Sequence, residues 1–337
     1  MNKPRGIDPR HLPLLATIGL FIVMFGGGSL AFPGFFTLQN FLNLFIDNAY
    51  LLILGVGMTF VIVSGGIDLS VGSVLALSTL VGASLVEKAH MNPLLAIGIV
   101  LCLGTVLGLF MGYLIQEFEL PPFIITLAGL YLARGLCYVV SLETIAVKDP
   151  TFTAMAGFQI PIGPDAFLTT GAGIAVIVVL AGWAVSRYSS FGRTVFAVGG
   201  NEQSALLMGL PVHRTKILIY AVSGFCSALA GVVFTFYTLS GYALDGKGME
   251  LDTIASVVIG GTLLTGGVGS IFGTMFGVFV YGSIQVLIMF QGTLNSWWTR
   301  IAIGLLVCAF CLLQRFFESG KRRPSVKVQA PSLAQTP

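Results

Sequence analysis

Residues 60–86 read FVIVSGGIDLSVGSVLALSTLVGASLV. Both flanks are apolar enough for lipid, yet the stretch is cut by Ser64-Gly65-Gly66 and carries one carboxylate, Asp68. A carboxylate at the centre of a bilayer costs about 2.5–3.5 kcal/mol on insertion scales. Backbone interrupted at membrane depth persists only where protein or a water-filled cavity satisfies its polar groups. The stretch therefore reads as two membrane helices, Phe41–Ser64 and Val71–Val86, meeting at a break inside a polytopic protein.

The rest of the chain agrees. Of 337 residues, 9% are charged and 55% hydrophobic, against roughly 25% charged in an ordinary soluble domain. Mean hydropathy is +0.94. So few charges cannot cover a soluble surface, which excludes a soluble enzyme, a nucleic-acid binder and a disordered scaffold. Apolar runs approaching the roughly 20 residues needed to cross about 30 Å of hydrocarbon give about ten candidate spans. Besides the two above they are Leu12–Ala31, Pro93–Ile115, Phe123–Val140, Phe167–Ser186, Ile217–Ser240, Thr253–Leu264, Ile271–Phe290 and Trp297–Leu313. Val71–Val86 and Thr253–Leu264 are short and adjoin glycine-rich segments, as halves of interrupted helices would. The first run is longer than the 7–15 residues of a signal-peptide core, so it reads as a retained span. The fold class is an all-α polytopic membrane protein with broken or re-entrant Gly-rich segments.

Twelve of the 17 Lys and Arg residues fall in the N-terminal tail (1–11), the loop 187–216 and the C-terminal stretch from Arg315 onward. By the positive-inside rule these segments face the cytoplasm, with both termini on that side. The membrane domain is expected over 12–316, with the C-terminal tail at 317–337.

The break has an echo. Gly260-Gly261-Thr262 through Thr265 to Val268-Gly269-Ser270 repeats the Gly-Gly, hydroxyl, Val-Gly-Ser order of Ser64–Ser73. Paired interruptions in two halves of a transporter mark a substrate path. The candidate pathway or gate residues are Ser64, Gly65, Gly66, Asp68, Ser70, Ser73, Thr126, Arg134, Gly260, Gly261, Thr262 and Thr265. Asp68 reads either as a cap for the helix at Val71 or as a gate. Arg134, the one basic residue buried in a span rather than near its end, pairs with a carboxylate, caps carbonyls of a broken helix or snorkels. Glycines at four-residue steps (Gly104, Gly108, Gly112, then Gly269, Gly273, Gly277) predict close helix approach, within the chain or at a subunit interface.

In the loop 187–216, Asn201 reads as a helix N-cap, Glu202 suits the first turn, and Gly209 with Pro211 ends the helix. The two-turn helix is expected to expose Ala205, Leu206 and Met208, and being too short to stand alone it needs a surface to dock on. Three other features carry no chemistry. Gly241 to Lys247 matches the start of a P-loop but continues with Gly248 and follows no strand. Cys308 and Cys311 only share a helix face, with no second pair to complete a metal site. His11, His90 and His213 are scattered. No cofactor, metal or catalytic residue is expected. Trp297 and Trp298 read as interface anchors, with substrate stacking as the alternative.

Taken together, Ser64–Ser73, Thr126 to Gly135, the run Phe191-Gly192-Arg193 to Gly199-Gly200-Asn201 with Ala205 and Gly209, and Glu250–Thr262 resemble the ribose-type sugar permeases of bacterial ABC importers. Tyr242-Ala243-Leu244 and Gly292 to Thr299 resemble the galactofuranose branch in particular. The resemblance implies an inner-membrane permease working with a cytoplasmic sugar ATPase, a second homologous permease (as a heterodimer) and a periplasmic sugar-binding protein. It also implies that Arg193, Gly200, Asn201, Glu202, Ala205, Leu206, Met208 and Gly209 form the coupling helix that meets the ATPase. Ribose, xylose, galactose and rhamnose are alternative cargoes. From another class, a proton-coupled secondary transporter would need titratable groups at mid-membrane, and the chain offers essentially Asp68 alone.

Overall fold

The computed structural model describes residues 12–292 and 297–319; the tails called cytoplasmic at 1–11 and beyond 319, and residues 293–296, lie outside the described residues. The chain is mainly helical. In order it forms α1 (Leu12–Ala31), α2 (Leu38–Asp47), α3 (Ala49–Val63), α4 (Val71–Glu87), α5 (Pro93–Glu117) and α6 (Pro122–Val140), then strand β1 (Ile145–Ala146) and α7 (Pro150–Gly157). Strands β2 (Gln159–Gly163) and β3 (Ala166–Thr169) follow, then α8 (Thr170–Tyr188), α9 (Ser190–Gly200), α10 (Glu202–Leu207) and α11 (Val212–Thr238). Strand β4 (Ser240–Gly241), α12 (Met249–Ile259), α13 (Ile271–Gln291) and α14 (Trp297–Ser319) complete it.

Six described helices are long and apolar enough to cross a membrane, or seven if α2 and α3, bent by 57° at Asn48, count as one span. Helices α4 and α14 are shorter apolar helices. The all-helical expectation needs one amendment, because β1 pairs with β4 and β2 with β3 in two small antiparallel ribbons. The β2–β3 hairpin takes the residues at which a span was expected to begin: Phe167 donates its N–H to Gln39 Oε1 at 2.9 Å, and α8 starts three residues later.

Helix α3 is the hub, with every residue except Tyr50 buried. Its neighbours reach it through small residues. A side chain at Gly57 would begin 3.2 Å from the Ser223 backbone on α11, and one at Gly55 would strike Thr274 on α13. Thr59 and Thr274 share a hydrogen bond of 2.7 Å between their hydroxyls across that contact. The stripe Gly104, Gly108, Gly112 on α5 lies against Ala228, the Tyr220 carbonyl and Ile217 of α11. Gly273 and Gly277 lie against the backbone of Gly260 and Ser256. Both stripes are therefore spent on close approach inside the chain, where van der Waals contact replaces the hydrophobic drive missing in lipid. Gly269 precedes α13 and packs instead on Val63 and Thr262. The outer faces of α1 and α6 stay largely uncovered; α6 buries only Thr126, Ala133 and Cys137.

After α11 the chain turns back into the helix array. Gly241 lies against Thr79 and Leu80 of α4, and Gly246 against Gly72 and Leu75. The descent covers seven residues of α4, about 10 Å at 1.5 Å per residue. Helix α12 starts from that depth and runs eleven residues, about 16 Å, too short to span. The expected crossing at Thr253–Leu264 is thus a half-helix reached through a re-entrant loop. The loop's polar groups are satisfied from inside, as its depth demands. Asp245 Oδ2 accepts from the Tyr242 N–H (2.9 Å) and from the Thr79 hydroxyl (3.2 Å).

Candidate functional site at the two helix breaks

The two interruptions are the same motif built twice. Helix α3 ends with Gly65 at φ +87°, its N–H bonded to the Ile62 carbonyl (2.9 Å) and the Gly66 N–H to the Val61 carbonyl (3.0 Å). Helix α12 ends with Gly261 at φ +91°, its N–H bonded to the Val258 carbonyl (2.9 Å) and the Thr262 N–H to the Val257 carbonyl (3.2 Å). Both are Schellman stops, which need a left-handed residue and therefore glycine. The sequence echo between Ser64–Ser73 and Gly260–Ser270 is thus a structural repeat at its helix ends.

The breaks also touch. The Gly267 N–H donates to the Val63 carbonyl at 2.8 Å. Side chains built on Gly266 and Gly267 would meet Gly65 and Gly200 backbone atoms at 3.0 Å and the Gly199 carbonyl oxygen at 3.1 Å. A side chain on Gly199 would fall on the Val63 carbonyl and 2.6 Å from the Gly267 nitrogen. Three backbones therefore meet at one point: the end of α3, the second break and the end of α9. The glycines at 199, 266 and 267 were outside the candidate residues; their doublets are visible in sequence, but only tertiary contact assigns the role.

Within the first break, Asp68 is fully buried. Its Oδ1 accepts from the Ser70 N–H (2.9 Å) and hydroxyl (2.6 Å), and its Oδ2 from the Ser223 hydroxyl on α11 (2.6 Å). It does not cap α4, as one reading had it: Ser70 occupies the cap position. Asp68 closes a local turn and ties it to α11. Ser73 donates to the Ser70 carbonyl (2.8 Å), Ser64 to the Val61 carbonyl (2.7 Å), and Thr126 reaches from α6 to the Ile67 carbonyl (3.2 Å). In the second break Thr262 is buried with its hydroxyl unpartnered among the described residues, Thr265 is exposed, and Gly260 abuts Gly273.

Arg134 stands apart from both breaks. Its Nη1 donates to the Ala243 and Asp245 carbonyls, at 2.5 and 2.8 Å, so it caps the re-entrant loop from α6. Charge-assisted bonds of this kind contribute about 1.5–3 kcal/mol each. Arg134→Ala should lower stability by about 3 kcal/mol, with Arg134→Lys intermediate because one ammonium covers two carbonyls less well. Thermal unfolding in detergent measures this; a melting temperature unchanged by Arg134→Ala would remove the capping role.

The loop 187–216 holds two helices. Ser189 caps α9, accepting from the Gly192 N–H at 2.9 Å. Asn201 caps α10 through the Ser204 N–H at 2.7 Å, and Gly209 ends it at φ +75°. The helix has six residues where two turns were expected. Ala205, expected on the open face, is completely buried against Val198 and Val212. Leu206, Leu207 and Met208 are the open side chains, at 54, 90 and 67% exposure. Lys216 Nζ lies 2.5 Å from Glu202 Oε1 and ties α10 to α11, a surface pair worth about 1 kcal/mol at most. Arg193 donates to the Tyr188 carbonyl at 3.1 Å. A cavity of about 670 Å³ connects the module to the first break, lined by Ser64, Gly65 and Gly66 on one side and Asn201, Glu202 and Lys216 on the other. The backbone at Gly199–Gly200, immediately before α10, lies against both breaks without an intervening side chain.

The family model described as branched-chain amino acid transport system / permease component matches residues 40–310. The chain belongs to this permease family. It is 48% identical over 306 residues to the inner membrane ABC transporter permease protein YjfF of Escherichia coli (strain K12), covering 91% of this chain and 92% of that protein. It is 40% identical to the fructose import permease protein FruG of Bifidobacterium longum (strain NCC 2705), covering 92% of each. With the ribose import permease protein RbsC of Bacillus subtilis (strain 168) identity is 38%, over 88% of this chain and 91% of that one. No solved structure matches. The chain is a ribose-type ABC permease, a multi-pass inner-membrane transport component rather than an enzyme.

Proposed function

We propose that this permease conducts a monosaccharide from periplasm to cytoplasm, driven by a cytoplasmic ABC ATPase that seats on the exposed side of α10. The observation carrying this reading is the meeting of Gly199, Val63 and Gly267, which joins the docking helix to both breaks. The family description names amino acids, but relatives matching nearly the whole chain carry sugar names, which supports a sugar cargo. Galactofuranose is the favoured sugar from the resemblance of Tyr242–Leu244 and Gly292–Thr299, with ribose, xylose, galactose and rhamnose as alternatives. Ten crossings, one of them made by the re-entrant loop and α12 together, cytoplasmic termini, a membrane domain over 12–316, a second homologous permease and a periplasmic binding protein complete the proposal. No cofactor is assigned to this subunit.

Proton coupling is the rival, and the geometry at Asp68 weighs against it. A proton carrier needs access to water, whereas Asp68 is buried and accepts three hydrogen bonds. Asn retains the Oδ1 acceptor and can donate to Ser223, so Asp68→Asn should keep uptake within about fivefold, since a neutral bond nets about 1 kcal/mol; Asp68→Ala should lose the turn and most uptake. Proteoliposomes with and without the ATPase decide between the readings. Sugar accumulation that follows ATP and ignores an imposed pH gradient is expected; accumulation without the ATPase would defeat the proposal.

A further inference from the structure

At the end of the helix array opposite α10 lies a second cavity, of about 550 Å³, bounded by the first turn of α12, the last turns of α13 and the start of α14. Helix α13 offers Tyr281, Gln285 and Ile288 to it, a spacing of four and three that puts them on one face. Helix α12 contributes Asp252, and α14 contributes Trp297 and Arg300. Asp252 Oδ2 accepts from the Tyr281 hydroxyl at 3.2 Å, and among the described residues nothing bonds its other oxygen. The guanidinium carbon of Arg300 sits 5.5 Å from the centre of the Trp297 ring. Its Nη atoms lie 3.9 Å from where a side chain on Gly248 would begin, so it reaches the inner end of the re-entrant loop. Among the described residues no ion pair within 4.0 Å closes Arg300 onto Asp252, and no hydrogen bond takes up Gln285.

Asp252 is half-buried and Arg300 exposed at the mouth of this cavity, and among the described residues the two do not close on each other. Held apart, the two groups suit a neutral molecule rich in hydroxyls, which donate to a carboxylate and accept from a guanidinium. Gln285 adds both a donor and an acceptor, and the indole offers a flat apolar surface to the C–H face of a sugar ring. The volume falls in the usual range of small-molecule sites, about 300–1,000 Å³.

We infer that this cavity is a monosaccharide-holding site contained within a single permease chain, in which Asp252, Gln285 and Arg300 take ring hydroxyls and Trp297 covers the ring. This rests on the reading of the chain as a sugar permease and adds to it a location. The chain has three tryptophans, so Trp183→Phe with Trp298→Phe leaves Trp297 as the sole indole reporter in the full-length protein. In lipid nanodiscs without a binding protein, this variant is titrated with D-galactose (which contains its furanose form at equilibrium), D-ribose, D-xylose, L-rhamnose, D-fructose and L-arabinose, with L-leucine as the amino-acid arm, while uptake of the same solutes by the complete importer is followed in parallel. A saturable change in Trp297 emission is expected with an imported sugar and not with leucine. Gln285→Ala and Asp252→Asn should each weaken it about tenfold, equivalent to about 1.4 kcal/mol; the former remains informative if the latter disturbs the Tyr281 contact and folding. Sugar uptake with no Trp297 response, a response indifferent to Gln285→Ala, or a response to leucine instead overturns the site while leaving the transport reading intact. Absence of sugar uptake by the complete importer overturns both.

Discussion

Valine at Gly199 is expected to reduce ATP-driven uptake about a hundredfold while the protein still inserts. The added carbons fall on the Val63 carbonyl and the Gly267 nitrogen, so they part the hydrogen bond that holds the two breaks together. Overpacking of this kind costs about 1–3 kcal/mol, and each 1.36 kcal/mol is tenfold in rate. The neighbouring Gly200 supplies the control, because a side chain there meets nothing within 4 Å. Gly200→Ala should therefore leave the contact between the breaks and the melting temperature unchanged, surface changes away from special features costing about 0.5 kcal/mol or less. Uptake in proteoliposomes measures the first effect and thermal unfolding in detergent the second. Native uptake by Gly199→Val would refute the idea that motion passes through this point.

The second large effect belongs to the exposed side of α10. Leu207→Glu should abolish co-purification of the ATPase and cut uptake at least about thirtyfold, since a buried interface anchor contributes about 2 kcal/mol or more. It should leave the melting temperature unchanged, because Leu207 is 90% exposed in the isolated chain. Ala205→Glu should behave in the opposite way, lowering stability first, because it forces a charge between Val198 and Val212. If Leu207→Glu retained the ATPase, α10 would not be its seat.

The contrast between Ala205 and Leu207 shows where sequence reasoning stops. The limits of α10 were legible because Asn201, Gly209 and Pro211 act through local backbone chemistry. Which of its faces is buried was not, because six residues make under two turns and apolar side chains lie on every side. Helix α9 was missed for a related reason: Gly192, Gly199 and Gly200 count against helix formation, yet Gly192 and Gly199 are what lets its backbone approach Ser186, Val63 and Gly267. The breaks were legible, since glycine pairs at a helix end carry their own stop signal, and their mirrored hydrogen bonds follow from that signal. The descent of residues 241–248 was not, because its acceptors find their donors on α4 and α6, more than a hundred residues earlier in the chain. The same distance explains why Arg134 was left with three readings.

That separation in the chain orders events during synthesis. The ribosome makes Thr79 and Arg134 long before Ala243 and Asp245, so the receptacle for the turn stands ready when the turn itself emerges. A segment as polar as Tyr242-Ala243-Leu244-Asp245-Gly246-Lys247 is a poor substrate for direct transfer into lipid, where its bare amides would find no partner. It is therefore expected to reach the aqueous side at the tip of α11 first and to be drawn inward afterwards, once α4 and α6 can receive it. Maturation of this permease is expected to include a late folding step within the bilayer, and a protease site placed at residues 244–246 should be cleaved in newly inserted chains and protected in mature ones; equal protection at both stages would refute this order.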